Sequence, residues 1–235
     1  MNPENRIREI DIARGFCVFS MIFIHLLYDL TEIYPVFESF PPFFLPLKDY
    51  GGIAFFLISG ICAPLGHRSL KRGCTVLICA ATVSLVTTLA GSPVRFGVLS
   101  CLGICMVLWT VFRKCPTPAL LFFAAVILFT GAAFRKISVT APFLYPLGLC
   151  RPDFFSADFF PLFPFLGYFL LGAAAGRKLY PRRRSLFPRF SFTGPLSRFF
   201  RFCGCHALPL YLLHQPALLA VIEIAYFLGE KIYES

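Results

Sequence analysis

An all-α, polytopic transmembrane helix bundle is the fold this sequence predicts, on three observations. Of 235 residues, 57% are hydrophobic and only 14% are charged. Apolar stretches repeatedly reach the roughly 20 residues with which a helix crosses a bilayer. Lys and Arg gather in alternate connections, the pattern left where cytoplasmic loops retain basic residues. Helices are expected at residues 10–34, 51–66, 74–90, 96–112, 118–134, 159–176 and 205–228, seven spans in all. No long polar segment separates them, so residues 1–235 are expected to form a single transmembrane domain.

Orientation follows from the basic residues. With the N-terminus inside, sixteen of the 22 Lys and Arg fall on the cytoplasmic side, from Arg6, Arg8 and Arg14 to the loop 177–201. Only Lys48, Arg95, Arg135, Lys136, Arg151 and Lys231 fall outside, so the expectation is N-in, C-out. The net charge of +10 is then mostly a topology signal, and a nucleic-acid partner is not expected. Membrane lipids are the expected surroundings.

The first span carries the strongest chemical signal. Asp11, Arg14, His25 and Asp29 lie on it, and an ionisable residue inside an apolar helix is costly enough to line a bundle interior or a wet cavity. At about 100° per residue, Arg14 and His25 come within about 20° of one direction, with Asp11 and Asp29 inside about 60° of it. All four therefore share a stripe. A rise of about 1.5 Å per residue puts His25 about 16 Å above Arg14, near mid-membrane. The helix lacks a small-residue cleavage site after its apolar run, so it is expected to be retained and not removed as a signal peptide.

His25 and Asp29 stand at i and i+4, where two side chains on one face can meet. A carboxylate beside an imidazole fixes its tautomer and raises its basicity, as a general base requires. Asp11 and Arg14 are expected to anchor the cytoplasmic end as a salt bridge. With the basic loops nearby they also suit a polyanionic ligand, of which coenzyme A with its three phosphates is one.

Between the first two spans, the outer loop 35–50 holds Phe40-Pro41-Pro42-Phe43-Phe44-Leu45-Pro46 and is expected to lie at the interface as a partly buried lid. The next four spans carry no Lys, Arg, Asp or Glu; their cysteines, Cys101 and Cys105 among them, read as small packing hydrophobes. The outer loop 135–158 brings Arg151, Asp153 and Asp158 ahead of the sixth span. Asp158 reads as that span's N-cap, with Pro161 in its first turn. Within the span, Gly172 to Gly176 form a G-x-x-x-G run, which suits close packing inside the bundle or a homo-oligomer seam.

The last span reads Leu208-Pro209-Leu210-Tyr211-Leu212-Leu213-His214-Gln215-Pro216. Pro216 leaves the carbonyl of Leu212 without its usual donor, so a kink beside His214 is expected. Like His25, His214 falls near mid-membrane. His25, Asp29 and His214 are the candidates for metal binding, but no H-x-x-x-H or E-x-x-H spacing joins them and no metal is expected. A P-loop, a dinucleotide fingerprint and a G-x-S-x-G elbow are absent.

Asp11-x-x-Arg14-Gly15, followed after ten residues by His25, resembles the signature of polytopic membrane acyltransferases that acetylate surface glycans. The blocks Arg95-Phe96-Gly97-Val98-Leu99, Ser156-Ala157-Asp158-Phe159-Phe160-Pro161-Leu162-Phe163-Pro164 and Leu212-Leu213-His214-Gln215-Pro216 more particularly resemble small bacterial relatives of the catalytic domain of heparan-alpha-glucosaminide N-acetyltransferase. The resemblance implies a multi-pass protein of the plasma membrane that takes acetyl-coenzyme A from the cytoplasm. It implies transfer of the acetyl group to an acceptor on the far side, a hydroxyl or amine of a glycan or glycolipid. By the same resemblance His25 matches the family's essential histidine and Arg14 its arginine.

The expected activity is therefore an acyltransferase. His25, Asp29 and His214 are its expected catalytic residues, and Arg14, Asp11 and Gln215 are expected at the acyl-coenzyme A donor. The rival expectation is a transporter for a small anion or lipid-linked sugar, in which the same stripe lines a path and His25 relays protons. An inactive membrane partner, with the stripe merely joining helices, is the third.

Overall fold

The computed structural model describes residues 7–190 and 192–233. Arg6 and the side chain of Lys231, both counted in the charge bias, lie outside the described residues. The described residues form eight α-helices: α1 Arg8–Tyr28, α2 Leu45–Cys62, α3 Ser69–Leu89, α4 Val98–Phe112, α5 Thr117–Phe134, α6 Leu162–Leu179, α7 Pro195–Cys205 and α8 Ala207–Tyr233. Among the described residues β-structure is limited to two isolated bridges, Phe96 with Phe159 and Ser138 with Cys150.

Each expected span is present as a helix, and among the described residues five helical stretches are long and apolar enough to cross a membrane: Arg8–Ile33, Pro42–Leu65, Ser69–Leu89, Thr117–Phe134 and Ala207–Gly229. Outside that set fall α4, with 15 residues, and α6, whose last turn holds Arg177 and Lys178. The chain falls into two compact units, Met1–Gly51 with Phe192–Ser235, and Gly52–Ser191.

In the first unit α1 packs on α7 and α8. Glu9 and Asp11 occupy the first turn of α1, where carboxylates complement the helix dipole. The helix then widens into a π-turn over Asp29–Ile33, with the Tyr34 amide donating to the Asp29 carbonyl at 2.8 Å. The closest crossing is between α1 and α7. A Cβ added to Gly15 would stand 1.7 Å from the Phe200 carbonyl oxygen, and one added to Gly204 would stand 1.8 Å from that of Asp11. Phe16 and Phe19 pack edge to face on Phe200 and Phe199, each at 5.6 Å.

Two expectations change here. The stretch 195–201 is helix and not loop, because Gly194-Pro195 starts a helix at the place where proline is tolerated and Phe199 and Phe200 give it an apolar side. The second span begins at Leu45, inside the expected loop 35–50, after a 3-10 turn Pro42–Phe44; Pro42 and Pro46 both fall in first turns, where a missing amide proton costs nothing. In α8 Pro216 lies inside the helix.

In the second unit α3 packs on α4, α5 on α6 and α4 on α6. The G-x-x-x-G run packs within this unit, since added Cβ atoms at Gly172 and Gly176 would stand 2.1 and 2.5 Å from the carbonyl oxygens of Leu57 and Ile61. Arg177 donates to the carbonyls of Cys115 and Arg113 at 2.6 and 2.7 Å and lies over the Trp109 ring, a cation at the end of α4 where the dipole favours one. Asp158 does not cap α6, which starts at Leu162 and so leaves Asp158 ahead of its first turn. It caps α4 instead, its Oδ2 accepting from the Val98 amide at 3.0 Å.

Candidate functional site

The polar stripe of α1 meets α8 inside the first unit. Asp29 is 1% exposed, and both its carboxylate oxygens accept from Gln215 Nε2, at 2.9 and 3.0 Å. A buried carboxylate needs such partners, and Gln215 supplies the pairing from a segment far away in sequence.

The two histidines sit ring to ring, with centroids 4.9 Å apart and planes at 82°. His25 Nδ1 lies 2.9 Å from the Met21 carbonyl oxygen. His214 Nδ1 lies 2.6 Å from the Tyr211 carbonyl oxygen. A carbonyl only accepts, so in each neutral ring Nδ1 carries the hydrogen and Nε2 keeps its lone pair. In the neutral form each ring therefore presents Nε2 as an acceptor.

His214 Nε2 and Gln215 Oε1 are buried atoms without a hydrogen-bond partner. Buried polar atoms are otherwise nearly always paired. Gln215 directs its amide hydrogens at Asp29, so what it presents is an acceptor, as is the bare nitrogen of His214. Together with His25 Nε2 the site offers hydrogen-bond acceptors, which a hydrogen-bond donor complements.

The sequence-predicted residues thus divide into two groups. His25, His214, Asp29 and Gln215 form the cluster just described. Asp11 and Arg14 form a second one: Arg14 Nη1 donates to Asp11 Oδ1 at 3.1 Å and to the Gly204 carbonyl at 3.3 Å, and Cys205 Sγ donates to Asp11 Oδ2 at 3.9 Å. This knot ties α1 to α7 at their glycine crossing. The hydrogen bond expected between His25 and Asp29 is not formed, since the Met21 carbonyl takes the imidazole proton and Gln215 takes the carboxylate.

Sequence reasoning missed three partners. The carbonyls of Met21 and Tyr211 carry no residue-type signal, because every helix offers such a group one turn back. Tyr34, at the far end of the π-turn, donates its hydroxyl to Glu223 of α8, and the Tyr34 and Tyr226 rings lie 5.3 Å apart. Among the described residues no three His, Cys, Asp or Glu side chains come together as metal ligands would.

Residues 6–216 match a family model described as heparan-alpha-glucosaminide N-acetyltransferase, catalytic. No curated protein and no solved structure matches the chain.

Proposed function

The chain belongs to the family of the heparan-alpha-glucosaminide N-acetyltransferase catalytic domain, a membrane acetyltransferase family, and from that premise we propose that it moves an acetyl group from cytoplasmic acetyl-coenzyme A to a hydroxyl or amine of an extracytoplasmic glycan or glycolipid. The observation that carries the reading is the pair of unpartnered acceptors, His214 Nε2 and Gln215 Oε1, beside the His25 imidazole.

In this mechanism His25 Nε2 takes the proton from the acceptor as its oxygen or nitrogen attacks the thioester carbonyl. The carbon–sulfur bond breaks and the departing coenzyme A sulfur receives that proton from the imidazolium. The same lone pair serves if His25 carries the acetyl group transiently before the acceptor does. His214, expected as catalytic, and Gln215, expected at the donor, are better suited to the acceptor's hydrogens than to the oxyanion of the thioester. An oxyanion needs donors, and these two atoms accept.

Asp29 acts through Gln215, fixing which way the amide faces. Arg14, whose Nη1 is held on Asp11, is the proposed contact for a coenzyme A phosphate. The family match crosses both compact units, which supports one functional domain over residues 1–235. Seven spans, N-in and C-out, in the plasma membrane complete the proposal.

Thermal unfolding of the detergent-purified chain tests donor binding. A ligand that binds only the folded state stabilises it by about 2.7 kcal/mol at a hundredfold excess over its Kd. Acetyl-coenzyme A and coenzyme A are expected to raise the midpoint. No shift with either, together with solute flux into proteoliposomes that ignores acyl-coenzyme A, would establish the transporter instead.

A further inference from the structure

Apart from the histidine cluster, the second unit holds a small cavity of about 70 Å³ built from the connection ahead of α4 and the long loop ahead of α6. Arg95, Tyr145, Arg151, Asp153 and Phe154 line it. The Arg95 guanidinium lies 5.8 Å from the Phe154 ring centroid and, among the described residues, forms no ion pair and donates no hydrogen bond. Its backbone is held firmly: the Arg95 amide donates to Ser156 Oγ at 3.1 Å, and Ser156 Oγ in turn donates to the carbonyl of Asp158, the residue that caps α4.

Across the cavity Arg151 uses Nε and Nη2 on the two oxygens of Asp153, at 2.9 and 3.0 Å, which leaves its Nη1 hydrogens uncommitted. Tyr145 stacks on Phe154 at 5.1 Å and 25°, giving the cavity an apolar wall. Two arginines therefore line a space the size of one small polar group, and Asp153 is the one carboxylate among its lining residues. Planar guanidinium forks match the paired oxygens of carboxylate, sulfate and phosphate.

We propose that this cavity binds an oxyanion group, carried either by a small glycan acid or by a lipid headgroup. Arg95 supplies the uncommitted fork and Arg151 a second donor. The assignment rests on the second unit alone and does not require the transfer reading, so His25→Ala protein is expected to bind as the wild type does.

The test is calorimetric titration of the full detergent-purified chain with methyl glucuronide, methyl glucoside and inorganic sulfate. Methyl glucuronide should bind, the neutral glucoside should not, and sulfate should compete. Arg95→Gln should weaken binding about tenfold to a hundredfold, the range for hydrogen bonds to a charged group, while Arg95→Lys should recover part of it. Asp153→Asn removes the opposing carboxylate and should tighten binding, a gain that damage to the fold would not produce. In nanodiscs, loss of glucuronide binding on adding phosphatidylglycerol to phosphatidylcholine identifies a lipid headgroup as the occupant; retained binding identifies a soluble acid. Equal binding of glucuronide and glucoside, an Arg95→Gln protein that binds like wild type, or no binding of glucuronide in any condition would overturn the assignment.

Discussion

At the scale of single residues, the chemistry turns on where two hydrogens sit. His25 and His214 each direct Nδ1 at a carbonyl of their own helix, at 2.9 and 2.6 Å, so each is expected as the Nδ1–H tautomer. Nitrogen-15 NMR of histidine-labelled protein checks this. A bare Nε2 on both rings is the expected pattern, and an Nε2–H tautomer on His25 would remove its lone pair from the site. The members of the cluster were legible in sequence, because ionisable residues inside apolar helices are costly and helical spacing put His25 and Asp29 on one stripe. Their pairing was not. Asp29 meets Gln215, from the other end of the chain, and His25 bonds one turn back to a carbonyl that any residue would offer.

Among helices, the decisive contact is the glycine crossing of α1 and α7. An alanine methyl at Gly15 or Gly204 would collide with backbone oxygen at 1.7 or 1.8 Å, and a carbonyl has no rotamer with which to yield. Overpacking that forces backbone to shift costs about 1–3 kcal/mol, occasionally more. Gly15→Ala and Gly204→Ala are each expected to lower the thermal midpoint and to loosen the Asp11–Arg14 knot. Gly194→Ala, with nothing within 4 Å of the new methyl, should melt close to wild type. Gly15 stood beside Arg14 in the motif read from sequence, yet its packing reason could not be read there because α7 was hidden in a loop. The helix is short, 11 residues, and basic, so hydropathy at the length of a span passes over it. The Asp158 cap was displaced for a related reason: polar side chains signal a nearby helix start without saying which helix they reach.

For the whole molecule, composition and hydropathy were enough to establish a membrane-spanning helical protein, because the bilayer sets the length and apolarity of any helix that crosses it. Division into two compact units leaves no such trace, since both consist of the same apolar helices. The proposed seven spans place the ends of the chain on opposite sides of the membrane. Periplasmic and cytoplasmic reporter fusions at each terminus should give opposite signals, and like signals at both ends would require an even number of spans. The central claim is that His25 is the base of an acetyl transfer, and its most direct test is coenzyme A release from acetyl-coenzyme A by purified protein in the presence of amino sugars and membrane glycolipids. General-base catalysis contributes about 10²–10⁴-fold, so wild type should release coenzyme A only when an acceptor is present, and His25→Ala should lose at least about a hundredfold of that rate while melting like wild type. Full acceptor-dependent release by His25→Ala would contradict the account.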